Sequence, residues 1–123
     1  MIRTDLPVDP LFQSINDYTV ARYWGTKTAS QDNDVQTLVS VPSGKTAYLY
    51  RLNSLGVDAA DAPKLRIGDT DVALGDPLPA RGGYAPIDWS TSMPSGSAGE
   101  DIKIVIANNG TAVTIDLVYL LVD

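Results

Sequence analysis

The chain has no cysteine, no histidine, a single phenylalanine and a single glutamate, Glu100. Without cysteine there are no disulfides and no thiolate chemistry, so the domain must be held by its core alone. Without histidine there is no imidazole general base, no His-dependent triad, and no zinc, copper or non-haem iron site of ordinary type. The commonest catalytic routes are closed, and the expectation is a protein that is not an enzyme and holds no cofactor or metal. Long apolar runs are missing as well. None approaches the roughly 20 residues that cross a bilayer, and Met1 to Gln13 lacks the charged start and apolar centre of a secretory leader. Synthesis in the cytoplasm, with no membrane partner, is the expectation. Clustered cations are absent too: nine Lys and Arg are scattered among fifteen acids, for a net charge of −6. That argues against nucleic acid, whose phosphates need clustered Lys and Arg.

What the 123 residues do contain is aspartate, proline and glycine between short β-branched runs. Aspartate favours turns where glutamate favours helices. Tyr18 to Trp24 reads as a first strand ended by Gly25, and Ala29 to Asp34 as a polar loop. Val35, Thr37, Val39 and Val41 alternate on one face of the next strand. Pro42-Ser43-Gly44 then turns the chain into a long strand from Lys45 to about Val57, with apolar groups on both faces. Lys64 to Gly68, with Leu65 and Ile67 inward, Val72 to Leu74 and Ile87 to Trp89 are further short strands. Ser90 to Gly99 is the most flexible segment by composition.

The closing stretch, Asp101 to Val122, reads as a β-hairpin about Asn109-Gly110, the preferred pair for a type I′ turn. That register sets Ala107 against Ala112, Ile106 against Val113, Ile104 against Ile115 and Ile102 against Leu117. On the other face Lys103 meets Asp116 and Val105 meets Thr114. The count predicts an all-β fold: a two-sheet antiparallel β-sandwich of jelly-roll type, about eight strands at residues 18–123, preceded by an extended N-terminal arm at residues 1–17. An immunoglobulin-like sandwich is the alternative. Leu6, Val8, Leu11, Phe12 and Ile15 make the arm too apolar for a free tail, so it is expected to dock on this domain or on a neighbour.

Each candidate site has a competing structural role. Ser43-Gly44-Lys45-Thr46 resembles the end of a phosphate loop, but Val39 stands where that motif needs glycine and a strand follows where it needs a helix, so a turn is favoured. Asp32-Asn33-Asp34, Asp58 with Asp61, and Asp69-Thr70-Asp71 with Asp76 offer oxygens for Ca²⁺ without matching an EF-hand loop, and turn caps are favoured. Asp88 with Glu100 or Asp101 could form a glycosidase pair, though solvated loop acids explain them better. Trp24, Trp89, Tyr23, Tyr84 and Tyr119 could build a sugar-stacking platform, with Trp89 and Tyr84 the glycan contacts. A core plug and a subunit contact are favoured for the two tryptophans. Asn109-Gly110-Thr111 matches a glycosylation sequon that the turn accounts for. Tyr48, Tyr50, Val118 and Leu120 are apolar opposite core-facing neighbours and are the expected oligomer interface.

VPSGKTAYLYRLNS at Val41 to Ser54, KLRIGDT at Lys64 to Thr70 and IKIVIANNGTAVTIDLVYLLVD at Ile102 to Asp123 together resemble small structural proteins of tailed bacteriophages, over about two thirds of the chain. The shared pattern is a turn plus GK entering a long strand, a short strand ending in Gly-Asp, a Gly/Ser loop and a closing hairpin. The resemblance implies a jelly-roll capsid decoration protein on the virion surface, commonly a homotrimer, with the major capsid protein as partner. A carbohydrate- or receptor-binding module of the tail or baseplate is the alternative. The resemblance brings no site residues with it.

Overall fold

A computed structural model describes residues 18–57, 62–75 and 83–123. The expected N-terminal arm, with Leu6, Val8, Leu11, Phe12 and Ile15, lies outside these residues. So do Asp58, Asp61 and Asp76. The chain is an all-β sandwich of two antiparallel four-stranded sheets. Its strands are β1 (Tyr18–Thr28), β2 (Asp34–Val39), β3 (Thr46–Val57), β4 (Lys64–Ile67), β5 (Thr70–Val72), β6 (Ile87–Asp88), β7 (Ile102–Ile106) and β8 (Ala112–Val122).

One sheet runs β1-β8-β3-β6 and the other β2-β7-β4-β5. Strand 1 pairs with 8, 2 with 7, 3 with 6 and 4 with 5, all antiparallel. This is a long hairpin of strands rolled onto itself, the jelly-roll connectivity. Its inner faces meet in one core. Ala47, Leu49, Leu52, Leu55, Ile115 and Leu117 come from the first sheet, and Leu65, Ile67, Ile102, Ile104 and Ile106 from the second. Ile104, Ile115 and Leu117 are fully buried.

The closing hairpin does not form. β7 belongs to one sheet, between β2 and β4, and β8 to the other, between β1 and β3. Ile115 is registered on Gly25 and Leu55, and Ile104 on Gln36 and Leu65. Their side chains do share the core, but they meet across the sandwich rather than along a ladder. A type I′ turn needs positive φ at both central residues. Here Gly110 has φ 84°, while Asn33 is the single non-glycine residue with positive φ among those described. Thr111 N donates to Asn108 O at 3.2 Å, so Asn109-Gly110 bends an arch between sheets. That arch is tied to the β1–β2 connection beside it. Ala29 N donates to Thr111 O, Gly110 N to Ala29 O, Asn33 N to Ala107 O, and Asn109 N to Asp32 Oδ1.

Other local expectations shift for identifiable reasons. β1 does not stop at Gly25 but continues to Thr28, with the Tyr23 phenol folded over the glycine. In β2 the expected face is inverted: Val35 is exposed, while Asp34 and Leu38 are buried. Burial of Asp34 is tolerated because its Oδ2 accepts from Ser30 N (2.8 Å) and Gln36 Nε2 (2.9 Å). The register shift between Thr37 and Val39 then returns Val41 to the core. In β3, shifts between Leu49 and Arg51 and between Leu52 and Ser54 break the simple alternation. They let Ala47, Leu49, Leu52 and Leu55 all face inward. Leu65 and Ile67 point inward as expected.

The segment that contains β6 and runs on to Gly99 is pinned rather than loose. Tyr84 N, Trp89 N and Gly99 N donate to Leu55, Tyr50 and Lys45 carbonyls, and Leu49 N donates to Pro94 O. Residues 84–99 thus cover the outer edge of β3 along its length.

Candidate functional site

The long sheet has an outer face graded from apolar to polar. At one end Tyr18, Tyr50, Leu120 and Val122 form a second small cluster, with Val20, Tyr48, Met93 and Val118 against it. The four residues expected at an interface, Tyr48, Tyr50, Val118 and Leu120, are therefore brought together. Tyr50 and Leu120 are only 1% and 0% exposed within the single chain, which leaves Tyr48 and Val118 as the half-buried pair. Burial pushes the Tyr50 phenol above its ordinary pKa.

The other end is built on β1 and β8. Antiparallel partners share a face, so the β1 residues Arg22, Trp24, Thr26 and Thr28 stand beside Val118, Asp116, Thr114 and Ala112. Arg22 grips Asp116 with two bonds, Nε to Oδ1 at 2.7 Å and Nη2 to Oδ2 at 2.6 Å, and Asn53 Nδ2 approaches Oδ1 at 3.4 Å. The Arg22 hydrogen bond is the main reason the Asp116 carboxyl lies below the usual carboxylate range. It also replaces the expected Lys103–Asp116 pair; Lys103 instead approaches Asp69. The Arg22 guanidinium carbon sits 5.7 Å from the Trp24 ring centroid, within cation–π range. Trp24 is 71% exposed, on a strand whose outward neighbours are polar. Beyond it, the Thr26 and Thr114 hydroxyls are 2.9 Å apart.

Trp89 is only 8% exposed and belongs to the core, as does Tyr84 at 9%. For Trp89 this is the core role favoured from the sequence, and the alternative, an open stacking platform built on Trp89 and Tyr84, does not form. Trp89 does line a cleft of about 340 Å³ between the β4–β5 hairpin and the connection after β6, with Ile67, Asp71, Val72, Pro94 and Ser95. Asp71 there is held by Arg66 Nε at 2.6 Å, which lowers its pKa.

Asp88 and Glu100 serve their own loops, and Asp101 ties its strand start to the segment after β2. Asp88 Oδ1 accepts from Ser90 N, Glu100 Oε1 from Ser97 N and Asp101 Oδ1 from Val41 N. The Ser90 bond is the first cause of a lowered Asp88 pKa, the opposite of what a general acid needs. No group of three or more acidic side chains suited to a metal occurs among the described residues. At Pro42 to Lys45 the chain makes a turn, with Lys45 N donating to Pro42 O at 3.1 Å and Gly44 at φ 86°. Lys45 Nζ pairs with Asp123, so the Gly-Lys-Thr run serves the turn into β3.

Sequence reasoning missed the Arg22–Asp116 clamp. Its signal was present in the alternation Arg22, Trp24, Thr26, Thr28, which marks the wet face of a strand. No protein-family model, curated protein or solved structure matches this chain.

Proposed function

We propose that the protein is a virion structural protein, a capsid decoration protein of a tailed bacteriophage that self-associates and docks on major capsid subunits. The observation that carries self-association is Trp24, a large aromatic side chain standing 71% exposed on a polar sheet face with a fixed cation beside it. Tryptophan and arginine are the residues most enriched at the energetic centres of interfaces. Supporting this, the described carboxylates that carry hydrogen bonds are engaged as turn caps and strand ion pairs. The capsid part rests on the turn-and-strand resemblance, as does three-fold assembly. Immunogold electron microscopy with antibody to the chain tests it on virions from the source culture. Label over the heads is expected, and unlabelled particles contradict it.

A second reading, a carbohydrate- or receptor-binding module of the tail, is favoured by the cleft beside Trp89 and Asp71. It expects label on tail fibres or baseplates and glycan-array binding that Asp71→Asn abolishes.

A further inference from the structure

The four sheet edges are not equally guarded. β6 is two residues long and β5 three. β2 has six residues and a register shift. On the β6 side, the outer edge of β3 is covered by residues 84–99. β1 alone is long and regular: eleven residues, no proline, paired with β8 through an unbroken register from Tyr18–Val122 to Thr28–Ala112. Among the described residues no strand lies on its other side. Short length, bulges, proline, covering segments and charged side chains are how proteins blunt a sheet edge; among the described residues β1 shows none of the first four, and its charges are Arg22, tied to Asp116, and Lys27.

Backbone direction along β1 follows from its end. Ala29 N donates to Thr111 O, and Ala29 O accepts from Gly110 N, so Ala29 turns both groups toward β8. In an antiparallel ladder this alternates residue by residue. Val20, Arg22, Trp24 and Thr26 therefore aim N–H and C=O at the open side. Thr28 agrees with that phase, since its carbonyl accepts from Gln36 Nε2 of β2 at 2.8 Å rather than from β8.

We infer that β1 is a strand-addition edge whose occupant is β1 of a second copy, paired antiparallel about a two-fold axis at Tyr23. The argument for a second copy is self-complementarity. That register overlaps the whole strand and hydrogen-bonds Val20 to the partner strand's Thr26 and Arg22 to its Trp24, each pair occurring twice by symmetry. On the outer face each Arg22 then meets the Trp24 ring of the other copy. Within the sandwich Ala21 meets Gly25, and Tyr23 meets its own equivalent. Lys27 faces Thr19, so no two like charges are opposed. The two long sheets become one continuous sheet, and the open edge disappears. This rests on the self-association part of the proposed function, puts two-fold pairing in place of the three-fold assembly that the resemblance implies, and is independent of the capsid part.

The test combines sedimentation velocity with amide hydrogen exchange on the full chain. A concentration-dependent dimer is expected, in which the Val20, Arg22, Trp24 and Thr26 amides slow as the dimer forms, while Ala21 and Tyr23, already paired to β8, do not change. Trp24→Lys, which sets a lysine against Arg22 of the other copy, is expected to abolish the dimer with an unchanged far-ultraviolet circular dichroism spectrum. If that variant fails to fold, exchange on the unmodified chain decides. A monomer at every concentration, a trimer, or a dimer whose four amides exchange at the monomer rate would overturn the inference. Head labelling of virions by a strictly monomeric protein would overturn this inference and self-association with it but leave the capsid reading standing, and a β1-paired dimer that labels no virion would overturn the capsid reading alone.

Discussion

The two sheets are built from unequal strands. The β1-β8-β3-β6 sheet has three strands of eleven or twelve residues, whereas no strand of the β2-β7-β4-β5 sheet exceeds six. Both contribute fully buried side chains to the same core. The long sheet's outer face carries an apolar cluster at one end and the Arg22–Asp116–Trp24 group at the other, whereas the short sheet's carries ion pairs, Lys64 and Arg66 with Asp71 and Lys103 with Asp69. The short sheet closes the core, while the long sheet has more surface than the core needs, and it is this outer face and the β1 edge that the proposed self-association would use.

The largest effects should show the sheets to be equal where they share the core. Ile104→Ala in the short sheet and Leu117→Ala in the long one each remove a fully buried side chain. Each is expected to cost about 2–5 kcal/mol in urea unfolding. A short-sheet variant of near-zero cost would break the idea of a common core.

Next come two glycines. Gly83, at φ 74° on the strap along β3, would place a Cβ 2.2 Å from Leu55 O. Gly110, at φ 84° in the arch between sheets, has open space around it. Gly110→Ala is expected to cost about 1 kcal/mol through backbone conformation alone. Gly83→Ala should cost more, and equal midpoints for the two variants would contradict the strap.

Asp116→Asn removes the clamp's charge and should cost about 1 kcal/mol at neutral pH. Its pH dependence is the sharper readout. The carboxyls of Asp34, Asp71, Asp88 and Asp116 are all held below their ordinary values by hydrogen bonds in the folded state. Unfolding raises those pKa values, so the unfolded chain binds protons first on acidification. The contribution is complete above the unfolded value of about 3.9 and is lost as pH falls through the lower folded values. Unfolding midpoints should be flat from about pH 7 to 5 and fall below about 4. The fall should be shallower in Asp116→Asn, and an identical slope would mean that the clamp is not formed in solution.

The smallest effect belongs to Trp24→Ala, expected within about 0.5 kcal/mol of the unmodified chain when measured on the monomer. A large loss would mean that Trp24 is not the exposed side chain described here.

Much of the strand inventory was legible because alternation and turn chemistry are local. Leu65 and Ile67 stood out between Pro63 and Gly68, and Pro42-Ser43-Gly44 marked the entry to β3. Partner choice was not legible, for a physical reason. A strand with Ile115 and Leu117 on one face satisfies period-two matching against any apolar alternating neighbour, and Asn109-Gly110 supplied a persuasive local turn. The jelly roll and the closing hairpin could not both hold, because the rolled-up ladder pairs the last strand with the first and so puts β7 and β8 in opposite sheets. The inverted face of β2 was hidden by Asp34, whose burial depends on Ser30 and Gln36 reaching it through space. Trp24 and Trp89, alike in sequence, were separated only by topology. One stands on the outer face of β1, and the other follows the short strand that leads into the core.

The most direct measurement is disulfide trapping, which the cysteine-free background makes unambiguous. Thr26→Cys with Thr114→Cys places two thiols on directly opposed residues of β1 and β8, while Val105→Cys with Thr114→Cys places them where a terminal hairpin would oppose them. Within the monomer, oxidation should close the first pair and leave the second open. Ready closure of Val105 with Thr114, and failure of Thr26 with Thr114, would contradict the rolled sandwich on which the exposed face and edge depend.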